Sequence, residues 1–365
     1  MREELLQQVA LSLLPGIGPV TIRQLISYCG SVKNVINTSP KRLGSIPGVG
    51  PKTAELIISS SGRDRASEQL RSAKEFGAAI RFFTDKNFPN RLKTLENAPI
   101  VLYFKGQPAF NNPRTLGIVG TRRATNYGRR AISRLLTQLK PYQPTIISGL
   151  AYGIDISAHR EALKLELPTI AVLGSGLDQV YPESHKKTAE EMLVQGGLVT
   201  ELKFGTKPEM YHFPSRNRII AGLSDALVVV EARKKGGALI TVEYMLNYNK
   251  PCLAVPGPID VPTSTGCNQL IKDRKAYMLT SGDDIVRLLE WTQEYPEVDV
   301  LSSTDKSSED QIVAVLRSNP NGVQIDELCW KTHIPINKVG VHLLNLEFKG
   351  MVKPLPGKKF LLVDK

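Results

Sequence analysis

Between Ile80 and Val255, short runs of aliphatic and β-branched residues alternate with stretches of helical periodicity, and this alternation restricts the fold more than any other property of the chain. Strands are predicted at Ile80–Phe83, Ile100–Phe104, Leu116–Val119, Thr145–Ile147, Ile170–Leu173, Leu198–Thr200, Ala226–Val230 and Cys252–Val255. Helices are predicted between them at Tyr127–Leu139, Ile154–Leu165, Lys186–Val194, Asn217–Leu223 and Leu239–Tyr248. Short apolar strands joined by helices imply an α/β fold with a doubly wound, mostly parallel sheet. Ligands of such sheets sit beyond the carboxyl ends of the strands, so the loops that follow the strands carry the functional expectation.

The stretch from Phe213 to Gly257, FPSRNRIIAGLSDALVVVEARKKGGALITVEYMLNYNKPCLAVPG, combines the parts of a phosphate site. The buried-type strand of Val228, Val229 and Val230 is closed by Gly236 and Gly237, ahead of a helical run from about Ala238. Backbone N–H groups at a helix start lack intrahelical partners and lie at the positive end of the macrodipole, so anions are attracted there. Arg216 and Arg218 are expected to reach the same crevice from an Arg-Asn-Arg turn, because a guanidinium fork matches phosphate oxygens in pairs. Taken alone, this pattern fits a nucleotide, a cofactor or DNA.

Charge favours a polyanion. The 365 residues hold 47 Lys and Arg against 35 Asp and Glu, a net charge of +12. No acidic residue occurs from Asn97 to Ile154, a stretch that carries Lys105, Arg114, Arg122, Arg123, Arg129, Arg130, Arg134 and Lys140. Such a basic surface favours nucleic acid over a single small metabolite. Cys29, Cys252, Cys267 and Cys329 lack CxxC spacing, which argues against a zinc site or a disulfide framework and fits a reducing cytoplasm. The start MREELLQQVALSLL lacks the features of a signal peptide, and no apolar run reaches membrane-spanning length, so a cytoplasmic protein without membrane insertion is expected.

Residues 1–68 contain an internal repeat: LPGIGPVTIRQLI from Leu14 recurs 32 residues later as IPGVGPKTAELII from Ile46. Both copies resemble helix-hairpin-helix units, whose Gly-x-Gly hairpins offer backbone N–H groups to a DNA phosphate. Pro19 and Pro51 each remove one such donor, and only the second copy has a compensating cation, Lys52, where the first has Val20. The second hairpin is therefore the candidate DNA contact and the first a scaffold, with a helical packing or partner-binding module as an equal reading. Residues 69–293 make the sheet domain, and the polar, Ser/Asp-rich stretch 294–310 reads as a linker. In residues 311–365, three helical patterns and a hairpin around Pro356-Gly357-Lys358-Lys359 resemble a winged helix. Its candidate recognition helix offers only Asn337, Lys338 and His342 as early polar residues, so a protein-contact or dimer-supporting role is favoured over sequence reading.

Four post-strand loops carry groups that suit a sugar-phosphate backbone: GIVGTRRATNYG from Gly117, SGLAYGID from Ser148, LGSGLDQVYPESHKK from Leu173, and the FPSRNR to KKGGALIT stretch. With PGPIDVPTSTGCNQLIKDRKA from Pro256, these loops resemble the DNA-processing protein A (DprA, or Smf) family from about Gly77 to Ile285. The resemblance implies an extended Rossmann-like fold, flanked by a helix-hairpin-helix, SAM-like domain and a winged-helix-like domain. It also implies binding of single-stranded DNA, action as a homodimer, and loading of the RecA recombinase in natural transformation. The family's phosphate pocket maps onto Gly120, Thr121, Arg122, Ser148, Gly149, Gly174, Ser175, Gly176, Arg216, Asn217, Arg218, Gly237 and Thr241, with Arg123, Gly236 and Lys186 or Lys187 beside it. Gly236 stands where many relatives have serine, and Lys203-Phe204 replaces a more usual Tyr-Pro.

A basic channel with aromatic faces also suits single strands on physical grounds, and Tyr127, Tyr152, Tyr181 and Phe213 are the stacking candidates. The main rival is a phosphoribohydrolase-like enzyme, in which a double glycine precedes a helical glutamate, as Gly236 precedes Glu243 here. The further Gly-Thr pair of such enzymes is missing, since Ala238-Leu239-Ile240-Thr241 follows. Dinucleotide binding is disfavoured, because the Gly117 loop lacks GxGxxG spacing and no acid occurs until Asp155. Asp155 and His159 share a helix face but read as a helix cap and a packing histidine. No metal, no cofactor and no catalytic turnover are expected.

Overall fold

The computed structural model describes residues 2–59, 62–292 and 306–363. They belong to two units, Met1–Thr292 and Gln293–Lys365. The first opens with six helices, α1 (Arg2–Ser12), α2 (Pro19–Cys29), α3 (Val32–Asn37), α4 (Pro40–Leu43), α5 (Pro51–Ile58) and α6 (Arg63–Phe76). The repeated hairpins lead into α2 and α5. Gly16 and Gly48 take φ of 75° and 78°, and Pro19 and Pro51 start their helices, where a missing N–H forfeits no intrahelical bond.

A nine-stranded sheet follows, made of β1 (Ala79–Phe82), β2 (Val101–Gly106), β3 (Thr115–Val119), β4 (Thr145–Ser148), β5 (Thr169–Val172), β6 (Gly196–Thr200), β7 (Ala226–Val229), β8 (Cys252–Ala254) and β9 (Tyr277–Met278). Its order is β1-β2-β6-β5-β4-β3-β7-β8-β9; the run from β6 to β9 is parallel, and β2 and β1 continue it antiparallel. From β3 the chain builds outward to β6 and then returns to β7 on β3's other side, so the winding reverses between β3 and β7. That reversal opens a crevice at the carboxyl edge.

The connecting helices are α7 (Asn90–Lys93), α8 (Asn126–Leu139), α9 (Ile154–Lys164), α10 (Lys186–Gln195), α11 (His212–Leu223), α12 (Gly237–Asn247), α13 (Thr265–Lys272) and α14 (Gly282–Leu288). Alternate residues of the buried strands feed two cores. Leu116, Ile118 and Val228 pack with Ile132 of α8, Ala158 of α9 and Ile285 of α14. Val119, Leu227 and Val229 pack on the other side with Ile219 of α11, Met245 of α12 and Cys267 of α13. The expected turn at Arg216-Asn217-Arg218 is helix instead: α11 begins at His212 and accommodates Pro214 in its first turn, where few backbone donors have intrahelical partners. The short strand β9 was not anticipated from the sequence pattern.

The second unit contains α15 (Lys306–Arg317), β10 (Val323–Gln324), α16 (Ile325–Thr332), α17 (Ile336–Phe348), β11 (Val352–Leu355) and β12 (Lys359–Leu362), with antiparallel strand order β10-β12-β11 around a core that includes Ile312, Leu328 and Leu343. It is a winged-helix domain, to which the structure adds strand β10. Of the stretch read as a linker, residues 294–305 lie outside the described residues and Lys306–Asp310 open α15. On α17, His342 is buried, so it is not one of the helix's polar surface residues.

The start of β3 is pinned by one carboxylate. Asp225 accepts from Thr115 N (2.9 Å), Thr115 Oγ1 (2.8 Å), Arg91 Nε (2.6 Å) and Arg91 Nη2 (2.8 Å), tying α7 to the loop between α11 and β7. Asp225→Ala strands these donors and is expected to cost about 1–3 kcal/mol, read as a lower urea midpoint at unchanged m. A midpoint equal to that of the wild type would show that the clasp contributes nothing.

Candidate functional site

At the β3/β7 reversal lies a cavity of about 400 Å³. The β3 side contributes Gly120, Thr121 and Arg122, and α11 contributes Phe213, Arg216 and Asn217. The loop after β7 and the start of α12 contribute Arg233, Lys235, Gly236, Gly237 and Thr241, while Ala151 and Asp155 line it beyond β4. Thus nine of the predicted residues meet here: Gly120, Thr121, Arg122, Phe213, Arg216, Asn217, Gly236, Gly237 and Thr241.

Arg216 lies beneath this cavity, only 5% exposed. Its Nη1 donates to Gly149 O at 2.7 Å and to Val172 O, so the guanidinium joins the carboxyl ends of β4 and β5. Burial lowers its pKa to about 10, with Asp155 opposing that shift and Arg122 adding to it, so it stays cationic at neutral pH. Asp155 is pushed above the usual carboxylate range by burial, against the pull of Arg216 and of hydrogen bonds that include one from Gly149 N at 3.2 Å. It lies inside α9 behind its N-cap, Gly153, so it is not the capping residue expected. His159 is the packing histidine expected, fully buried with Nδ1 2.7 Å from Thr169 Oγ1.

Several predicted residues support the cavity without lining it. Ser148 Oγ donates to Ile118 O at 2.6 Å, and Ser175 Oγ donates to Gln179 O, so both hydroxyls are spent inside the fold. A Cβ on Gly149 would sit 2.4–2.6 Å from the Arg216 guanidinium, and one on Gly174 would come within 2.8 Å of the Phe213 ring. Gly176 lies against Asp178 and the Lys203 carbonyl. Arg123, Lys186 and Lys187 are exposed and do not line the cavity.

Arg218 is a correction. It forms an ion pair with Glu201 and lies near Arg23, away from the cavity. Residues two apart on a helix do not share a face, so α11 cannot present Arg216 and Arg218 to one crevice. The sequence reading also passed over Arg233, Lys235 and Asp155 as site residues. The first two were legible as a cationic run, Arg233-Lys234-Lys235, placed directly before a glycine-led helix.

Thr241 Oγ1 is buried without a protein partner, and Asn217 Nδ2 donates to Gly237 O at 3.2 Å. The Arg122 guanidinium lies 5.7 Å from the centre of the Phe213 ring, which itself lies 5.8 Å from the Tyr181 ring. Cations, a helix N-terminus and an aromatic wall therefore converge on one opening. Glu243, the glutamate of the hydrolase comparison, is exposed on α12 and does not line it. Among the described residues, no group of three His, Cys, Asp or Glu is placed to hold a metal, and no helix is long and apolar enough to cross a membrane.

The family model described as DNA recombination-mediator protein A matches residues 79–290. The chain belongs to that family. Around the recombination-mediator domain, a SAM-like helix-hairpin-helix tandem model matches residues 4–62 and a DprA winged-helix model matches residues 299–358. Protein Smf of Synechocystis is 31% identical over 96% of this chain and 97% of its own length. The DNA processing protein DprA of Bacillus subtilis is 34% identical over 62% of this chain and 77% of its own. Among solved structures, DNA processing protein A of Streptococcus pneumoniae superposes with a TM-score of 0.69 at 28% identity, over 77% of this chain and 97% of that one. The Helicobacter pylori protein, whose structure is described for its single-stranded DNA binding mode, gives 0.53 at 27% identity, over 58% of this chain and 95% of that one.

Two outcomes test this geometry of the recombination-mediator domain. Gly149→Ala should unseat Arg216 and lower stability by about 1–3 kcal/mol in denaturant titration, whereas wild-type stability would show that the guanidinium moves freely. Burial lowers the His159 pKa to about 3, below its value in the unfolded chain. Between that pH and about 6.5 the unfolded state binds the extra proton, so stability should fall as pH drops through this window. His159→Gln should flatten that part of the stability profile, and an unchanged profile would assign the acid sensitivity to other groups.

Proposed function

We propose that the cavity binds the backbone of single-stranded DNA without catalytic turnover. In this reading the protein protects the strand and passes it to the RecA recombinase during natural transformation, working as a cytoplasmic homodimer. The observation that carries the DNA reading is the convergence of Arg122, Arg233 and Lys235 with the α12 N-terminus and the unpartnered Thr241 hydroxyl. Those groups fit phosphate oxygens. The single-strand binding mode of the Helicobacter pylori relative and the names of the DNA processing proteins support the same assignment. The recombinase and dimer roles are carried over from the family resemblance.

The cavity's lining supports a role without turnover, since Asp155 is its only carboxylate among the described residues. It is buried beside Arg216, and His159 on the same helix is fully buried against Thr169, so the two do not present an exposed acid–base pair for proton transfer.

Gly236 and Gly237 support the strand reading in a different way. An added Cβ at either would meet no protein atom within 4 Å, and neither has positive φ. The fold itself therefore does not exclude a side chain there, whereas a phosphate approaching the α12 N–H groups would. Gly237→Ala should keep wild-type stability, or gain about 0.4–1 kcal/mol, and yet bind the strand more weakly. Unchanged affinity would remove the close-approach argument.

Fluorescence anisotropy with single-stranded and duplex oligonucleotides across a salt series tests the main reading. Wild type should prefer the single strand, and Arg122→Ala with Lys235→Ala should reduce the slope of log K against log salt by about 1.4, the value for two lost phosphate contacts. Phe213→Ala should cost about 1–3 kcal/mol of binding if its ring stacks on a base. Arg218→Ala serves as the comparison, since its guanidinium is paired with Glu201 outside the cavity. Equal binding by wild type and the Arg122/Lys235 variant would sink the proposal.

A further inference from the structure

A second, larger cavity of about 750 Å³ lies between α8 and the strand ends of β7, β8 and β9. Val230, Val255 and Leu279 give it an apolar floor, and Arg130 and Arg134 of α8 stand at its rim. These arginines are exposed, and neither is among the ion pairs of the described residues. Tyr127 walls the end nearest the switch point, its hydroxyl donating to Pro256 O at 2.6 Å. Spaced four apart, the two arginines project along one face of the helix.

The two cavities are neighbours on one edge of the sheet. Val230 lines the groove and Ala232 lines the switch-point pocket, and the buried Glu231 between them accepts from Thr125 N at 2.9 Å and Thr125 Oγ1 at 2.7 Å. That clasp lies between residues that line the two cavities.

We propose that this groove is a second contact for the same strand: DNA held in the switch-point pocket continues past Tyr127, with bases against the apolar floor and phosphates against Arg130 and Arg134. The inference rests on the single-strand reading of the pocket. Charge decides between occupants, since two unpaired cations above an apolar floor match a chain that alternates phosphates with unstacked bases.

The test uses the full chain and oligo(dT) of about 6 and about 16 nucleotides, spanning the usual range of single-strand sites. Arg130→Ala with Arg134→Ala is compared with a charge-matched pair on the same helical layer, Lys140→Ala with Lys164→Ala. The groove variant should bind the short strand like wild type, bind the long strand on the order of tenfold more weakly, and lose about 1.4 from the long-strand salt slope. The control pair should change neither. Unchanged long-strand binding overturns the proposal and leaves the groove to an acidic protein segment. Equal losses on both lengths, or the same loss in the control, also overturn it by pointing to a general field effect. A wild type that binds neither length defeats the pocket reading itself, which is a distinguishable result.

Discussion

The carboxyl edge of the sheet is organised around Glu231, a buried carboxylate that accepts hydrogen bonds from neutral groups. It accepts from the backbone and hydroxyl of Thr125, and more distantly from Thr263 Oγ1 at 3.3 Å. Its own carbonyl accepts from Thr121 N at 2.7 Å, and the Thr121 carbonyl accepts from Ile154 N at 3.1 Å. A buried carboxylate without such donors is costly, so these bonds specify where the loop after β7 sits relative to the turn after β3. The glycine that opens this space is Gly128, where a Cβ would fall 2.4 Å from Glu231 Oε2. The positions of Arg122, Arg233 and the start of α12 all follow from this arrangement.

Against that frame, the positive charge of the site falls into two classes. Arg216 is fixed, buried and committed to the Gly149 and Val172 carbonyls, so it supplies a field from below and has little freedom to follow a ligand. Arg122 and Lys235 are exposed side chains that can adjust to a flexible backbone. A buried cation acts in a poorly screened environment and the exposed ones in a screened environment, so salt should weaken their contributions unequally. The salt slope therefore reports the exposed pair more faithfully than it reports Arg216.

Much of the central fold was legible because parallel strands buried on both faces leave continuous aliphatic runs, as at Val228–Val230, and their order with intervening helices leaves few topologies. The site was legible where glycine and cations fall in one loop. It was misread at Arg218, since the sequence gives no helix-start signal before His212 and Pro214 suggests a turn; the helical phase that separates Arg216 from Arg218 was thereby lost. At Ser148 and Ser175 the sequence does not show what the side chain does. A hydroxyl in a loop looks available, and only the folded positions of Ile118 O and Gln179 O show that it is used. Lys235 lay in plain view and was passed over in favour of the glycines beside it.

The shape of the pocket bears on strand state independently of its charge. A space of about 400 Å³, lined by Phe213 and by Arg233 and Lys235 of the loop after β7, is concave at the scale of a few chemical groups. A duplex presents a stiff, convex backbone, and lowering one phosphate into such a concavity requires bending or unpairing its neighbours. A single strand can turn its backbone inward there and leave its bases to the aromatic wall of Phe213 and Tyr181. Single-strand preference would then arise from the cost that a duplex incurs on entering, together with the stacking of unpaired bases on that wall. Discrimination of this kind should persist at high salt even as absolute affinity falls, because deformation of the duplex is not screened with the phosphates.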